Sequence, residues 1–570
     1  MEELLVIGVL AVLAIAAATT IGPRFGVASP LILMVVGILV SLLPFVPAIV
    51  VQPEWILAGV LPPLLYSASV SMPSMNFRRE FGAISGLSVL LVVVSSVLLG
   101  LFFAWVVPGL GLAWGIALGA IVSPTDAVAT GIVKRAGVSP RVVAILEGES
   151  LLNDASALVL LRSAIAAAAV ASFHLGFVTL SFIYSVVVAV VFGWVVGRLN
   201  LLVRSRVRDA TVNTAISFTV PFLASLPAEA LGASGLVAAV VAGLVTGRRA
   251  PRVLSPEHRL SDSQNWRTVE LLLEGFIFLT MGLELFGIVQ KVQNDHAGVL
   301  PAVGVAAAAL VLTLLIRAGF VAPLLALLAR RNRRRQRMRP TLERMQATLA
   351  DPEAARRTYE ERLANAGNDV TARPGGSRFR PRIPTVQDVA RFGTRVRRAL
   401  ADIDYFTGAP LGWREGAVVV WAGMRGAVTV AAAQSLPQET PGRSVLVLIA
   451  FLVAAGSLLL QGGTLGPVLR VVRPSAADPG AERAERKRLM ELLRDAGRAV
   501  PQPTTTERSP EAFAAHKSAR VRGIRAQREA LLDARDDGTF SADVLAGALT
   551  NLDADEISID LKGDPAEATG

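Results

Sequence analysis

Glu147-Gly148-Glu149-Ser150-Leu151-Leu152-Asn153-Asp154 opens an apolar run that continues to about Ala171 and is long enough to cross a bilayer. Three carboxylates therefore lie in or near a membrane helix. An ionisable group at that depth is costly unless it is paired, hydrated or neutralised, so such residues mark ion or proton pathways. A further intramembrane acid, Asp126, sits in Ser123-Pro124-Thr125-Asp126-Ala127, and an intramembrane base, Arg425, in Gly423-Met424-Arg425-Gly426. Together these residues imply a path for small cations across a membrane.

Composition agrees with that setting. The 570 residues are 53% hydrophobic with a mean hydropathy of +0.54, and apolar stretches recur from residue 3 to about 472. This is the pattern of an all-α polytopic membrane domain, followed by a polar tail over 473–570. With no cysteine, disulfides and thiolate metal sites are excluded. The four histidines fall outside the apolar runs, which leaves proton handling to carboxylates. The net charge of +11 comes from arginines in loops beside the membrane, so it reads as topology and contact with anionic lipid, not as nucleic-acid binding. The acidic start, Met1-Glu2-Glu3, fits a retained first helix better than a cleaved signal.

The apolar runs predict thirteen spans, near residues 3–21, 28–46, 53–71, 83–107, 112–133, 141–171, 175–197, 211–227, 232–247, 267–290, 298–329, 413–436 and 443–472. Loop charge tests the count. Alternate loops carry 15 Lys/Arg, from Arg24 through Arg78, Lys134, Arg141, Arg198, Arg204 and on to Arg267; the opposite loops carry only Lys291 and Arg443. The positive-inside rule then puts the N-terminus outside and the C-terminus in the cytoplasm. The 330–412 connection is a cytoplasmic insertion between spans 11 and 12. Its arginine-rich start, Arg330 to Arg339, is expected to lie on anionic headgroups. Within it, Leu342 to Ala364 and Thr385 to Ile403 have helical composition around Pro374-Gly375-Gly376-Ser377. In the tail, Asp533 to Gly538 imitates a calcium loop, but Arg535 and Val544 occupy ligand positions, so a helix end and a turn are expected.

Spans 5 and 12 are both interrupted. Pro124 removes a backbone donor and clashes with the preceding turn, so span 5 should break there. Such a break is tolerated at membrane depth only where protein or water satisfies it. Glycines on both sides of Arg425 permit span 12 to unwind. Half-helix ends carry partial charges: Asp126 can offset positive N-terminal ends, Arg425 negative C-terminal ends, and free carbonyls can hold a cation. Read singly, Pro124 is a kink and Gly423 and Gly426 are packing residues. Two charged interruptions seven spans apart instead predict two inverted six-helix repeats, with broken helices 5 and 12 crossing at the ion site.

Span 6 completes the constellation. Ser150 and Asp154 share a face, with Asn153 beside them. Desolvation favours a protonated carboxylate and a bound cation favours an ionised one, so Asp154 can hold either a proton or a cation. Glu149 lies about 140° round the helix from Asp154, which makes it a polar supporter. Glu147 is nearer the cytoplasmic end. Glu274 in span 10 and Arg317 in span 11 are expected to form a structural ion pair. Arg162 has no evident partner.

At this point the chain resembles the sodium/proton exchanger family, in the cation:proton antiporter-1 branch, as a bacterial member. The residues that carry the resemblance are Ser123-Pro-Thr-Asp-Ala-Val-Ala129, Gly148-Glu-Ser-Leu-Leu-Asn-Asp-Ala155 and Trp421-Ala-Gly-Met-Arg-Gly-Ala-Val428, with Leu61-Pro-Pro-Leu-Leu65 and Phe276-Ile-Phe-Leu-Thr-Met-Gly-Leu283. It covers roughly 1–472. The resemblance implies a homodimer in the plasma membrane, with helices 1–3 and 8–10 for dimerisation and helices 4–6 and 11–13 as a mobile core. It implies Asp154 as the shared carrier of Na+ (or K+) and H+, and Thr125, Ser150 and Asp126 close to the ion. Glu149 and Asn153 would support the site, Arg425 would compensate the crossing helices, and Arg317 with Glu274 would form a stabilising pair. With Asn153 where electrogenic relatives carry a second aspartate, exchange is expected to be electroneutral. Helix 3, Leu64-Leu-Tyr66-Ser-Ala-Ser69, lacks the acid some relatives place there, and the 330–412 insertion is long.

Other classes fit less well. Na+ and K+ cannot be separated, since both take carboxylate and carbonyl oxygens. A cation channel with a regulatory cytosolic tail would favour filter repeats, and none is seen. A receptor would not need Asp126, Asp154 and Arg425 at midplane. An enzyme would need a nucleophile, a base and an orienting group, and these are missing, as are a nucleotide fingerprint and a metal motif. No cofactor is expected.

Overall fold

The computed structural model describes residues 2–44, 46, 51–170, 175–296, 298–349, 351, 353–357, 385–476, 478–503 and 509–561. Among them the chain is helical and free of β-strands, with an isolated antiparallel bridge between Val138 and Ala476. The chain divides into two compact units. One is Met1–Leu325 with Leu411–Ala477; the other is Ala326–Pro410 with Asp478–Gly570.

The helices of the first unit are α1 (Glu2–Ile21), α2 (Ser29–Ser41), α3 (Trp55–Ser71), α4 (Ser74–Val106), α5 (Gly111–Val122), α6 (Val128–Arg135), α7 (Pro140–Val170), α8 (Leu175–Arg204), α9 (Ala210–Ala230), α10 (Gly235–Val253), α11 (Pro256–Leu283) and α12 (Leu285–Asn294). They continue with the first part of α13 (Val299–Thr348). After α14 (Val386–Gly408), which belongs to the second unit, come α15 (Trp413–Trp421), α16 (Ala427–Gln434) and α17 (Arg443–Val472). Each of the thirteen apolar runs falls on one of these helices or on a broken pair of them. Among the described residues, seven helices are long and apolar enough to cross a bilayer by length and composition, and α2, α3 and α5 are shorter apolar helices.

Two groups of contacts organise this unit. In one, α2 packs on α11, α3 on α10, and α9 on α8 and α10. In the other, α4 packs on α5, both pack on α7, and α16 and α17 pack on α5. Within the second group α4 and α17 each contain a π-helical turn, Gly86–Leu90 and Leu458–Gly462. Such turns rotate the following side chains relative to the preceding ones. Here they bracket Ser88 and Gln461, both of which reach into the site.

Two loop charges prove to be interior. Arg204 is fully buried, with Nε donating to Asn213 Oδ1 at 2.8 Å and Nη2 to Asp262 Oδ2 at 2.7 Å. Arg141 pairs with buried Glu80 at 2.6 Å. Neither is a solvated loop charge; both are held by acids, because a buried guanidinium without a partner is strongly unfavourable. Arg162, without a partner at the level of sequence, meets Glu229 at 3.3 Å.

In the second unit the insertion and the tail fold together. α14 begins with a reciprocal cap: Asp388 N–H donates to Thr385 Oγ1, and Thr385 N–H to Asp388 Oδ2. The tail supplies α18 (Pro479–Arg498), α19 (Pro510–Asp537) and α20 (Ala542–Asp560). Asp537 of α19 receives Arg397 of α14 at 3.4 Å, and Arg528 of α19 is held by Asp553 and Glu556 of α20. At the calcium-loop imitation, α19 ends on Gly538 in the left-handed conformation and α20 follows, as a helix end and turn require. The expected helix at Leu342 to Ala364 is seen as the end of α13 up to Thr348. Most of the rest, with Pro374 to Ser377, lies outside the described residues.

Candidate functional site

The two broken helices meet as their sequences require. α5 ends at Val122 and α6 starts at Val128; between them Pro124 has no amide hydrogen to offer. α15 ends at Trp421 and α16 starts at Ala427. The extended segments cross, and Asp126 N–H donates to the Met424 carbonyl at 2.7 Å. The approach is so close that a Cβ on Gly426 would overlap the Asp126 carboxylate, and one on Gly423 the Arg317 guanidinium.

The freed backbone groups are met by named side chains. Asp126 Oδ1 accepts the Val128 N–H at 2.8 Å, at the N-terminus of α6. Arg425 Nε donates to the Val122 carbonyl, the last of α5, at 2.9 Å, and its Nη1 donates to the Gly423 carbonyl. A cation thus lies on the negative end of one half-helix. Ser457 Oγ accepts the Arg425 N–H at 2.8 Å, and Gln461 Nε2 donates to the Trp421 carbonyl at 3.1 Å.

Beside the crossing, α7 contributes Glu149, Asn153 and Asp154, with three different fates. Glu149 is buried and fully compensated. Arg317 of α13 donates to its two oxygens at 2.5 and 2.8 Å, and Thr125 Oγ1 donates at 3.1 Å. Arg317 Nε also donates to the Val419 carbonyl of α15 at 3.0 Å. Asn153 donates through Nδ2 to the Thr125 carbonyl and hydroxyl at 2.9 and 2.7 Å, which fixes the broken segment of α5 to α7. Asp154 is only 9% exposed, and no hydrogen bond or ion pair reaches it among the described residues. Pro124, Leu158, Val428 and Ala432 wall it in, and the charged group acting on it is another carboxylate, Asp126.

The expected pair of Glu274 and Arg317 is not formed. Arg317 is fully engaged by Glu149 and Val419, because α13 faces α7 and α15. Glu274, on α11, has no ion pair among the described residues and lies within electrostatic reach of Asp126, Glu270 and Arg135. Ser150 is half-buried one turn before Asp154, with its hydroxyl donating to the Glu147 carbonyl of its own helix at 3.1 Å. Among the described residues no three His, Cys, Asp or Glu cluster as a metal centre would require.

The family profile described as sodium/hydrogen exchanger, transmembrane, matches residues 9–342 and 393–471. The chain belongs to the sodium/hydrogen exchanger family. That family consists of transporters, not enzymes. The unmatched stretch between the two blocks falls inside the insertion. An uncharacterized Na(+)/H(+) exchanger of Escherichia coli strain K12 is 36% identical over 278 residues, 47% of this chain and 50% of that protein. A sodium, potassium, lithium and rubidium/H(+) antiporter of Bacillus subtilis strain 168 is 30% identical over 299 residues, 51% of this chain and 45% of that protein. The matches thus span about half the length of these two relatives. Among solved structures, the sodium proton antiporter MjNhaP1 from Methanocaldococcus jannaschii at pH 8 covers 83% of this chain and 100% of its own, with a TM-score of 0.55 and 16% identity. At that identity the likeness is one of fold.

For this exchanger-family chain, sequence reasoning missed the polar residues that complete the breaks. Ser88 donates to the Glu149 carbonyl at 3.2 Å, and Ser457 and Gln461 serve the α15–α16 break. A signal existed: Ser457 and Gln461 are polar residues four apart in the apolar stretch from Val445 to Gly463, and such residues inside a membrane seldom lack a partner.

Proposed function

We propose that this chain is a secondary active antiporter that exchanges a monovalent cation, Na+ in first place, for H+ across the bacterial plasma membrane, with Asp154 as the shared carrier. The observation that carries this reading is the contrast between neighbouring acids on α7. Glu149 is neutralised by Arg317, whereas Asp154 is buried among apolar walls with no hydrogen bond or ion pair among the described residues. A carboxylate in that state must take up a proton or a cation to be tolerated. Because it has one charge to offer, the two compete, and each release is driven by the other's arrival.

The remaining roles are part of the same proposal. Thr125, Ser150 and Asp126 supply oxygens near Asp154. Asp126, held at the start of α6, acts as a fixed charge. Asn153 and Glu149 hold Thr125, and Arg425 neutralises the crossing. One titrating carboxylate then gives electroneutral one-for-one exchange. Alternating access arises by motion of the helices of spans 4–6 and 11–13 against those of spans 1–3 and 8–10, the latter forming the homodimer interface. The same proposal has thirteen crossings, an external N-terminus, a cytoplasmic insertion and a cytosolic regulatory tail, with the arginines of Arg330 to Arg339 resting on anionic lipid.

A K+/H+ antiporter of the same architecture is the second reading. What favours it is the Bacillus subtilis relative, whose name gives four alkali cations. The test is dequenching of a pH-sensitive dye in proteoliposomes on adding Na+, K+ or Li+ in turn. Dequenching with Na+ at lower concentration than K+ supports the favoured reading; K+ preference selects the second. No response to any of the three overturns both.

A further inference from the structure

The chain leaves the second unit at Pro410 and returns to it at Asp478. Both connections converge on one side chain of the first unit. Glu415, in the first turn of α15, is 3% exposed. Its Oε2 accepts the Gly412 N–H at 2.7 Å, just after the insertion. Its Oε1 accepts the Ser475 N–H at 2.9 Å and the Ser475 hydroxyl at 2.7 Å, just before the tail. No cation shares this carboxylate among the described residues.

Ser475 is tied on its other side as well. Its carbonyl accepts the Ser139 N–H at 3.0 Å, and Ala476 forms the antiparallel bridge with Val138. Arg414 Nη1 donates to the Arg473 carbonyl at 3.5 Å. Capping α15 needs only the Gly412 contact. The second oxygen reaches 60 residues along the chain to seize the start of the tail. That start is in turn pinned to the loop between α6 and α7.

We infer that Glu415 and Ser475 form a clasp through which the insertion-and-tail unit sets the working state of the ion site. This rests on the exchanger reading above. The route is short and made of rigid elements. α15 carries Val419, bonded to Arg317, and leads into the Gly423 to Gly426 break. α7 starts right after Ser139 and carries Glu149, Asn153 and Asp154. A helix transmits a displacement at its start to residues one to two dozen ångströms along its axis, at about 1.5 Å per residue. The clasp touches the roots of both helices at once, so loosening it changes how the two broken segments sit against Asp154. Glu415 is a positioning residue in this account and does not touch the ion. By linkage the effect is reciprocal: cation binding at Asp154 must alter the second unit by the same free energy.

The experiment uses the full chain in three forms: unaltered, Glu415→Gln and Ser475→Ala. Gln keeps the volume of Glu415 but turns an N–H2 toward donors. Ser475 is exposed, so removing its hydroxyl spares the core. Cation-driven proton flux in proteoliposomes gives half-saturating Na+ and maximal rate separately, and hydrogen–deuterium exchange reports on residues 478–498 with and without Na+. In the unaltered chain Na+ should change exchange over 478–498. Glu415→Gln should abolish that change and shift half-saturating Na+ by about five-fold or more while transport persists. Ser475→Ala should act in the same direction by about two-fold, as loss of one hydrogen bond predicts. A Na+ response over 478–498 that is absent from the unaltered chain, or equal in all three forms, overturns the inference. So does an unchanged half-saturation in both variants. Failure of the exchanger reading looks different: the unaltered chain itself would move no protons on addition of Na+.

Discussion

Arg317→Ala removes a buried guanidinium that donates to both oxygens of Glu149 and to the Val419 carbonyl. What remains on Glu149 is the Thr125 hydroxyl, in a setting where both members of the pair are 2% exposed. Breaking a buried pair by removing one partner costs about 3–5 kcal/mol, chiefly because a charge is stranded. The lost bond to Val419 is about 1 kcal/mol of that total. Arg317→Ala/Glu149→Ala removes the stranded carboxylate and should recover about 1–3 kcal/mol relative to the sum of the single losses. Arg317→Ala/Glu274→Ala removes two residues with no bond between them and should be additive to within about 0.5 kcal/mol. Denaturant titration of the detergent-solubilised protein at neutral pH, on the wild type and both cycles, measures these couplings. Additivity for Arg317 with Glu149, or a coupling above about 1 kcal/mol for Arg317 with Glu274, would refute the pairing and the reasoning that separates Glu149 from Asp154.

Asp154→Asn should abolish cation-driven proton flux yet leave the protein folded and no less stable, since no partner is orphaned by the loss of charge; thermal melts beside flux assays check both, and residual flux or a large loss of stability would contradict the carrier role. Half-saturating cation concentration should rise as pH falls, by about tenfold per pH unit once the carrier is mostly protonated, because one proton displaces one cation; flat half-saturation over several pH units would rule out competition. With one titrating carboxylate and Asn153 unable to titrate, the final pH gradient reached with a fixed Na+ gradient should not depend on membrane potential. Clamping proteoliposomes with valinomycin and K+ tests this, and a shift of the set-point with potential would mean that more than one proton moves per cation.

Gly426 and Asp126 show why the crossing was legible from short stretches of chain. Proline's missing amide, glycine's missing Cβ and the charge at a half-helix end are properties of residues and their immediate neighbours. They act wherever the chain goes, so Ser123 to Asp126 and Gly423 to Gly426 announced two breaks. The cost of ionisable groups in lipid likewise singled out Asp126, Glu149, Asp154, Arg317 and Arg425. Periodicity and length supplied the apolar runs that became helices, because backbone hydrogen bonds in a membrane leave few alternatives to the helix.

Pairing was another matter. Arg317 and Glu149 lie 168 residues apart, and nothing local distinguishes Glu149 from Glu274 as the partner. Arg141 and Arg204 looked like loop charges because they adjoin helix ends, yet helix packing buries both against acids. The union of insertion and tail in one unit, and their convergence on Glu415, are likewise invisible in sequence. The sequence by itself determined which residues would have to be paid for in a membrane and where the helices would fail. Only the tertiary structure decided that Arg317 neutralises Glu149, while Asp154 and Glu274 have no ion pair among the described residues. The reason is physical: helix breaks are settled by steric and hydrogen-bonding rules within a few residues. Charge compensation depends on distances of a few ångströms between helices remote in the chain, fixed only when the whole bundle packs.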